Sequence, residues 1–345
     1  MTLNIGVIGT GMIGQDHIRR ITHVLPGGRV AAVTDVDLDR AKTVAADLPA
    51  AKALQSGQEV IHDDEIDAIV VASWGPTHEE YVLEAIAAGK QVFCEKPLAT
   101  TREACERIID AETAAGRRLV MVGFMRRYDD GYRAMKAAID AGEIGTPLIF
   151  HSGHRNPSVP PQVTSDMIIN DTCVHDVDIA RFLLDDEIVA TRVLTPRKSS
   201  LASDHLTDPV LVILETARGA LVDVEASINI QYGYDIRGEV VGESGTVELS
   251  ESNKVIVKTG GRYGGRVADD WRERFILAYD IEFAEWIAAA SAGRSTGPSS
   301  WDGYAATVVC HATLKALQTG ERIEISMPAR PQLYAPAAAK SSGTD

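Results

Sequence analysis

The sequence predicts two domains: a doubly wound α/β domain with a parallel sheet, then an α+β domain with a large, open-faced antiparallel sheet. A chain of 345 residues is too long for one ordinary core. Up to residue 122, short apolar runs alternate with helical runs, as parallel strands and their crossover helices do. After residue 123, several strand-like runs follow one another without helices between them.

Five apolar runs predict the strands of the first domain, residues 1–122. They are apolar almost throughout, which indicates burial on both faces of the sheet. These runs are NIGVIGTG (4–11), VAAVTDVD (30–37), AIVVAS (68–73), QVFCEK (91–96) and LVMVGF (119–124). The intervening helices have predicted capping boxes and C-terminal glycines, at Thr77 with Glu80, Thr100 with Glu103, Gly89 and Gly116.

The second domain is predicted to cover residues 123–335. Helices are expected at 130–142, about 165–184, about 270–292 and 301–319. Strands are expected at TPLIFHSGH (146–154), TRVLTP (191–196), VLVILET (210–216), GALVDVEASINI (219–230), DIRGEVVG (235–242), GTVELS (245–250) and KVIVKT (254–259). The small and polar residues 336–345 predict a flexible tail.

A glycine-rich loop follows the first strand and opens a helix. Gly9, Gly11 and Gly14 fit the pattern G-x-G-x-x-G, which in this context indicates a Rossmann domain that binds a dinucleotide pyrophosphate. Asp35 ends the second strand, where a carboxylate accepts the ribose hydroxyls and repels a 2′-phosphate. Since no arginine directly follows Asp35, NAD is predicted rather than NADP. The alternative is a structural turn followed by a surface acid.

Lys96 lies at the end of the QVFCEK strand. Ligands of open α/β sheets bind beyond the carboxyl ends of the strands, where the segment SWGPTH (73–78) also lies. Pro97 restricts Lys96 to extended conformations, which directs its side chain. The sequence therefore predicts Lys96 near the reactive end of the cofactor. From its position alone, a solvated lysine at a strand exit is an equal alternative.

The predicted helix around NDTCVHDVDIARFLL (170–184) carries three polar groups on one face. At about 100° per residue, His175 lies about 40° to one side of Asp171 and Asp178 about 20° to the other. In the catalytic interpretation, Asp171 orients His175 and raises its basicity, His175 accepts a hydroxyl proton, and Lys96 stabilises the developing alkoxide. In the alternative interpretation, Asp171 and His175 form a modest surface pair.

Composition excludes several function classes. A formal net charge of −15 argues against nucleic acid and anionic membrane as partners. No apolar run approaches the roughly 20 residues of a membrane span. Four separated cysteines and a start without a leader pattern predict a cytoplasmic protein. His151 and His154 are three apart on a strand and point to opposite faces, so no metal is predicted.

Several motifs together resemble one family. GVIGTGMIGQDH, TDVD, SWGPTHEEYV, FCEKPLATT, VGFMRRYDDGY, HRNP, DTCVHDVD, YGYDI and WDGY are similar to the glucose–fructose oxidoreductase and inositol dehydrogenase superfamily. Within it, SWGP, VGFMRRYD, HRNP and DTCVHDVD most resemble bacterial inositol 2-dehydrogenases. The resemblance covers residue 3 to about 330. It implies a homotetramer assembled through the open sheet, and NAD-dependent oxidation of the axial hydroxyl of myo-inositol to 2-keto-myo-inositol.

The resemblance also implies roles for individual residues. It assigns catalysis to Lys96, Asp171 and His175. The expected substrate contacts are Arg126, His154, Asn156, Asp178 and Tyr234. The expected cofactor contacts are Gly9, Gly11, Met12, Ile13, Gly14, Asp35, Ser73, Trp74, Pro76, His78, Glu95 and Lys96.

Two alternatives to this function stay open. One is an NAD-dependent dehydrogenase of another cyclic polyol, namely scyllo-inositol, D-chiro-inositol or a pyranose sugar. Each offers a ring of hydroxyls to the same polar pocket, and residue spacing does not reveal stereochemistry. The other is a sensor that binds NAD without chemistry, although such a protein has no reason to keep Lys96, Asp171 and His175 together.

Overall fold

The computed structural model describes residues 2–250 and 255–335. In the first domain six strands form one parallel sheet in the order β3-β2-β1-β4-β5-β6. The strands are β1 (Leu3–Ile8), β2 (Gly28–Thr34), β3 (Lys52–Ala53), β4 (Ala68–Val71), β5 (Gln91–Glu95) and β6 (Val120–Gly123). The five predicted strands are confirmed, and the two-residue β3 adds a sixth. The order reverses between β1 and β4, which opens a cleft beyond their carboxyl ends.

Five helices cover this sheet: α1 (Met12–His23), α2 (Leu38–Ala46), α3 (Gly57–His62), α4 (His78–Ala87) and α5 (Arg102–Ala115). Both predicted capping boxes are wrong. Thr101 caps α5 by accepting from the amide of Ala104 at 3.2 Å, so Thr100 lies outside the helix. The Thr77 hydroxyl donates to the carbonyl of Trp74 at 2.7 Å and does not cap α4. The predicted helix ends are confirmed, since Gly89 and Gly116 have φ of 70° and 68°.

Within the described part of the second domain there are nine strands: β7 (Pro147–Arg155), β8 (Ile188–Leu194), β9 (Val210–Thr216), β10 (Leu221–Ser227), β11 (Asp235–Gly242), β12 (Thr246–Glu248), β13 (Val257–Thr259), β14 (Arg262–Gly264) and β15 (Ile323–Glu324). Seven of them form the large sheet, in the order β12-β11-β7-β10-β9-β8-β15. The β7 and β10 strands run parallel, so the sheet is mixed and the prediction of an antiparallel sheet is wrong for this pair. Parallel neighbours need a long connection, and here the chain passes through α8, β8 and β9 before β10 pairs alongside β7 in the same direction.

The predicted strand KVIVKT lies only partly in the described residues, because residue 254 falls outside them. Its end forms β13, which pairs with β14 in a separate hairpin instead of joining the large sheet. The predicted tail, 336–345, also lies outside the described residues.

The remaining helices are α6 (Asp130–Asp140), α7 (Ser165–Met167), α8 (Val174–Leu184), α9 (Trp271–Ser291) and α10 (Ser300–Thr319). Between α7 and α8, residues Ile168–Cys173 wind as a π-helix. The predicted helix at about 165–184 is therefore confirmed in extent but not in register, which changes where its side chains point.

One face of the large sheet packs on helices and the other is open. Along β9, Val210, Val212 and Leu214 are buried, whereas Leu211 and Ile213 are only half-buried on the open face. This alternation is that of a half-covered sheet. Of the helices in the described ranges, not one combines the length and apolar composition that crossing a bilayer requires.

Helix α9 returns to the first domain. The rings of Phe93 on β5 and Phe283 on α9 lie 4.3 Å apart, and Trp286 packs on both. Helix α10 approaches so closely that a Cβ atom at Gly303 would lie 2.6 Å from the Cβ of Leu98. The two domains therefore share packed side chains, which hold the cleft between them in a defined shape.

Candidate active site

A cavity of about 640 Å³ lies where the carboxyl ends of β4 and β5 face the π-helix and the end of β7. Most of the predicted site residues line it. From the first domain these are Met12, Ile13, Ser73, Trp74, Pro76, His78, Glu95 and Lys96. From the second domain they are His154, Asn156, Asp171, His175 and Tyr234. The cavity is large enough for a ring-sized ligand beside part of a dinucleotide.

The glycine loop has the geometry that a pyrophosphate needs. Gly9 has φ of 101°, and a Cβ atom there would lie 2.5 Å from the carbonyl oxygen of Ala72. A Cβ at Gly14 would lie 2.0 Å from the carbonyl oxygen of Gly9. Gly11 faces open space, and no side chain caps the helix that begins after it. The amides at the start of α1 are therefore available to an anion, so the loop fits a bound dinucleotide.

Asp35 is held in place by four hydrogen bonds. Its carboxylate accepts from the amide and hydroxyl of Thr10 at 2.6 and 3.0 Å, and from the amide of Asp37 at 2.9 Å. The guanidinium of Arg40 donates at 2.5 Å. Partial burial opposes ionisation, but the bonds from Arg40, Asp37 and Thr10 outweigh it and lower the pKa of Asp35. Arg40 was not predicted; it approaches because Asp37 begins α2 and turns its first residues back toward Asp35.

Lys96 lies at the end of β5, where its neighbour holds the backbone. The carboxylate of Glu95 accepts from the amide of Lys96 at 3.2 Å and from Nε2 of the buried His17 at 2.7 Å. The Nζ atom of Lys96 donates to the main-chain oxygen of Asp171 at 3.1 Å. The lysine is thus directed into the cavity and bound to the other domain.

His175 is almost fully buried, yet its Nδ1 atom makes no hydrogen bond within the described part of the chain. Burial lowers the pKa of His175 well below its usual value, and the charges of Lys96 and Arg126 lower it further. The imidazole is therefore neutral at neutral pH and can accept a proton.

The predicted hydrogen bond between Asp171 and His175 is not formed among the described residues. Asp171 lies in the π-helix, so the α-helical spacing used to align the two side chains does not apply. The Asp171 side chain is instead exposed at the cavity, and its main-chain oxygen contacts Lys96.

Two predicted substrate contacts lie behind the cavity wall. Asp178 is buried and pairs with Arg127 through bonds of 2.9 and 2.5 Å. Burial raises the pKa of Asp178, although the charge of Arg127 opposes this. Arg126 is also buried; it donates to Asp176 at 2.5 Å and lies 2.9 Å from Nδ1 of His154. Neither Arg126 nor Asp178 is among the described residues that line the cavity.

His78 lines the cavity but holds two loops together. Its Nδ1 atom lies 2.7 Å from the carbonyl oxygen of Pro97, and its Nε2 atom lies 3.0 Å from that of Ser73. Burial lowers the pKa of His78, although these carbonyls oppose the shift. A neutral imidazole donates to one of these carbonyls, and the ring, which lies between them, packs the loop after β4 against the loop after β5.

The structure adds cavity residues that sequence reasoning missed: Met125, Asn170, Trp271, Tyr279, Thr307 and His311. They come from four separate segments, so their convergence depends on the fold and not on one local motif. In residues 2–250 and 255–335, no three His, Cys, Asp or Glu side chains converge as metal ligands would. His151 is exposed beside Asp223 and His154 is buried, as expected for opposite faces of a strand. The absence of a metal stays a prediction.

Two family models match the chain. The model described as "Oxidoreductase family, NAD-binding Rossmann fold" matches residues 3–124, and the model of the GFO/IDH/MocA C-terminal domain matches residues 132–248. The chain belongs to the GFO/IDH/MocA family of oxidoreductases. The resemblance seen in the sequence is confirmed, and so are the fold class and NAD as cofactor.

Relatives of this chain match it over nearly its whole length. Inositol 2-dehydrogenase 3 of Saccharopolyspora erythraea is 53% identical over 334 residues, which cover 97% of this chain and 98% of the relative. Inositol 2-dehydrogenase of Azotobacter vinelandii is 53% identical over 338 residues, covering 98% and 100%. The structure of myo-inositol dehydrogenase from Lactobacillus casei in complex with NAD(H) and myo-inositol has a TM-score of 0.95 at 38% identity, covering 97% and 100%.

Proposed function

We propose that this oxidoreductase converts myo-inositol to 2-keto-myo-inositol by oxidising the axial hydroxyl, with NAD as cofactor. The observation that carries the proposal is the convergence of Lys96 and a neutral His175 in one cavity at the carboxyl ends of β4 and β5. The names of the relatives and the bound ligands of the similar structure support myo-inositol as the substrate.

An uncharged ring of hydroxyls suits the polar groups of the cavity. Two buried atoms in its wall, Nδ1 of His175 and Oδ1 of Asn156, have no partner within the described residues. A buried polar atom left without a hydrogen bond costs about 1–3 kcal/mol, and a bound ligand that supplies the bond removes that cost. The carbonyl oxygen Oδ1 accepts only, so it selects a donor such as a hydroxyl.

The residues around the reacting hydroxyl have complementary roles. When bound, NAD takes the hydride from the substrate carbon. The ammonium of Lys96 donates a hydrogen bond to the substrate oxygen and stabilises the negative charge that develops there. The neutral imidazole of His175 accepts the hydroxyl proton. The exposed carboxylate of Asp171 offers an acceptor on the same side of the cavity, while its main-chain oxygen holds Lys96.

The other substrate residues divide by position. His154, Asn156 and Tyr234 line the cavity and contact the ring directly in this proposal. Arg126 acts from behind, by supporting His154, and Asp178 acts by holding Arg127. The cofactor residues are the glycine loop, Asp35, and the cavity residues of the first domain. Trp74, with 77% of its surface exposed, is available to cover the cofactor ring.

We further propose a division into domains at residues 122 and 123, and a homotetramer in the cytoplasm. The half-buried Leu211 and Ile213, with the exposed Leu194, support an interface on the open face of the sheet. Four buried cysteines without disulfides support a reducing compartment. A monomer mass in sedimentation at micromolar concentration would contradict the tetramer.

The experiment that tests the function is the formation of NADH from NAD with and without myo-inositol, in the unmodified protein and in Lys96→Ala. We expect rapid NADH formation only in the unmodified protein with inositol, and a rate at least about 100-fold lower in Lys96→Ala. NADH formation from another ring polyol alone would support the alternative dehydrogenase and contradict the substrate. Binding of NAD without any NADH formation from ring polyols or sugars would contradict dehydrogenase activity. It would support the alternative of a sensor that binds NAD without chemistry.

A further inference from the structure

Asp176 lies on α8 directly behind the substrate cavity and is fully buried. Its Oδ1 atom accepts from Nη1 of Arg126 at 2.5 Å and from the hydroxyl of Ser152 at 2.8 Å. Its Oδ2 atom lies 2.9 Å from Nδ1 of His154, which lines the cavity. The arginine holds the pKa of Asp176 far below its usual value, so the carboxylate is ionised despite its burial.

The Nδ1 atom of His154 has two competing partners. It lies 2.9 Å from Nη2 of Arg126, which would donate to it, and 2.9 Å from Oδ2 of Asp176, which would accept from it. Burial lowers the pKa of His154, so the ring is neutral and carries one proton. That proton is therefore either on Nδ1, facing the carboxylate, or on Nε2.

The surroundings favour the proton on Nδ1. Without it, Oδ2 of Asp176 would be a buried, charged oxygen with no donor among the described residues. Such a group costs more than an unpaired neutral one. Arg126 keeps an acceptor in either tautomer, because its Nη1 atom donates to Oδ1 of Asp176. The tautomer with Nδ1–H therefore gives Oδ2 of Asp176 a donor and leaves Arg126 bonded to Oδ1, whereas the other tautomer leaves Oδ2 without a donor among the described residues.

We propose that Asp176 is a positioning residue that fixes His154 as the Nδ1–H tautomer, so that Nε2 accepts a hydrogen bond from a non-reacting hydroxyl of the substrate ring. This inference rests on the proposed function, since it needs a polyol in the cavity. Asp176 and Ser152 hold one edge of the imidazole in the network, and Tyr234 packs against the ring at 5.9 Å. The opposite edge, with Nε2, is left for the ligand.

This arrangement makes His154 a determinant of specificity. An acceptor at this position binds a ring that carries a hydroxyl there and loses a hydrogen bond with a ring that lacks or misplaces it. The hydroxyl does not react, so the bond is equally strong in the bound substrate and in the transition state. Loss of the bond should raise KM and leave kcat nearly unchanged.

A double-mutant cycle tests this with Asp176→Asn, His154→Gln and the two combined. We expect Asp176→Asn to raise KM for the ring polyol about tenfold, with kcat within about threefold, as loss of one hydrogen bond would. In the His154→Gln background the same change should alter KM less than about threefold, because Asp176 acts through His154. Asp129→Asn is the matched control, since this buried carboxylate pairs with Arg274 and not with a cavity histidine, and the change should leave KM within about threefold.

Equal effects of Asp176→Asn in both backgrounds would overturn the proposal and make Asp176 a structural ion-pair partner. A loss confined to kcat would also overturn it. If Asp176→Asn does not fold, the unmodified protein with ¹⁵N-labelled histidine serves instead. The ¹⁵N NMR signals that disappear in His154→Gln belong to the ring nitrogens of His154. Their chemical shifts in the unmodified protein should show that Nδ1 carries the proton. A proton on Nε2 would overturn the proposal.

These outcomes are distinct from failure of the proposed function. The cycle uses whichever ring polyol the unmodified enzyme oxidises, so lack of turnover with myo-inositol alone contradicts only the substrate. The nitrogen shifts require no substrate. If no ring polyol or sugar is oxidised, the proposed function and this role of His154 both fall.

Discussion

The ammonium nitrogen of Lys96 and the main-chain oxygen of Asp171 lie 3.1 Å apart, and their hydrogen bond joins the two domains across the cavity. The lysine comes from the end of β5 and the carbonyl from the π-helix before α8. A neutral carbonyl uses one of the three ammonium hydrogens and leaves the positive charge uncompensated. Lys96 is thereby positioned to stabilise negative charge on a substrate oxygen.

Lys96→Ala should lower kcat by at least about 100-fold, the scale of a lost group in acid–base and electrostatic catalysis. Affinity for NAD should change little, because the side chain points to the other domain. Steady-state rates and an NAD titration check both expectations. Lys90→Ala is the control, since Lys90 bonds to the carbonyl of Asp63 at a distance from the cavity. Equal losses in both variants would contradict the role of Lys96.

Activity should persist at acid pH below the usual range of histidine. His175 has its pKa lowered well below 6.5, first by burial and then by the charges of Lys96 and Arg126. Its neutral, proton-accepting form therefore predominates down to that lowered pKa, and kcat/KM should decline only below it.

Lys96→Met should move this acid decline of kcat/KM to higher pH, because removing a nearby positive charge raises the pKa of His175. The comparison uses the residual activity of the variant at a series of pH values. Two results would remove His175 as the base. One is an acid decline of kcat/KM that does not move in Lys96→Met, and the other is an acid decline that persists in His175→Gln.

The cofactor half of the site was predictable because its residues directly follow strands. The glycine loop and Lys96 occupy positions that the ends of β1 and β5 determine, so their placement needs no knowledge of distant contacts. Partnerships across the fold were not predictable. His17 bonds to Glu95, which is 78 positions away, and no local pattern links them.

The substrate half was harder for a specific physical reason. Asp171, His175 and Asp178 were aligned on one face by α-helical spacing, but residues Ile168–Cys173 form a π-helix, which shifts the register. Asp178 lies beyond this segment in the regular helix α8, where it pairs with Arg127, and the acid that contacts a cavity histidine is Asp176. The predicted chemistry depended on residue types, whereas the pairings depended on helix geometry.

Asp35 should make the enzyme prefer NAD to NADP, since its carboxylate lies where a 2′-phosphate would bring more negative charge. Asp35→Ser with Val36→Arg should shift kcat/KM toward NADP. Arg40, which pairs with Asp35, becomes free in this variant and adds to the positive charge. Asp39→Ser is the control, because the Asp39 carboxylate is exposed on α2, the helix that carries Arg40, and pairs with Lys42. Comparable turnover of the unmodified enzyme with both cofactors would count against the role of Asp35.

Glu282 should make the protein less stable as the pH rises. Both of its carboxyl oxygens lack a hydrogen-bond partner within the described residues, and burial raises its pKa well above 4.5. Above the pKa of the unfolded state, about 4.3, the native state therefore holds a proton that the unfolded state has lost. Folding is then progressively disfavoured until the native pKa is passed.

Glu282→Gln should remove this dependence, because an amide does not ionise. The free energy of unfolding, measured in urea at several pH values, should rise relative to the unmodified protein as the pH increases from about 4 to neutral. The control is Glu273→Gln, an exposed residue on the same helix that pairs with Arg266. A stability difference independent of pH would show that Glu282 is ionised in the native state.

The most direct test of the proposed function is kcat/KM with NAD for myo-inositol, scyllo-inositol, D-chiro-inositol and glucose. The ring hydroxyl that reacts must meet Lys96 and His175, while the others meet His154 and Asn156. Sites built to bond hydroxyls discriminate against rings that misplace one. We predict that myo-inositol has the highest kcat/KM of the four. A value for scyllo-inositol or glucose that exceeds it by about tenfold would contradict the proposed substrate.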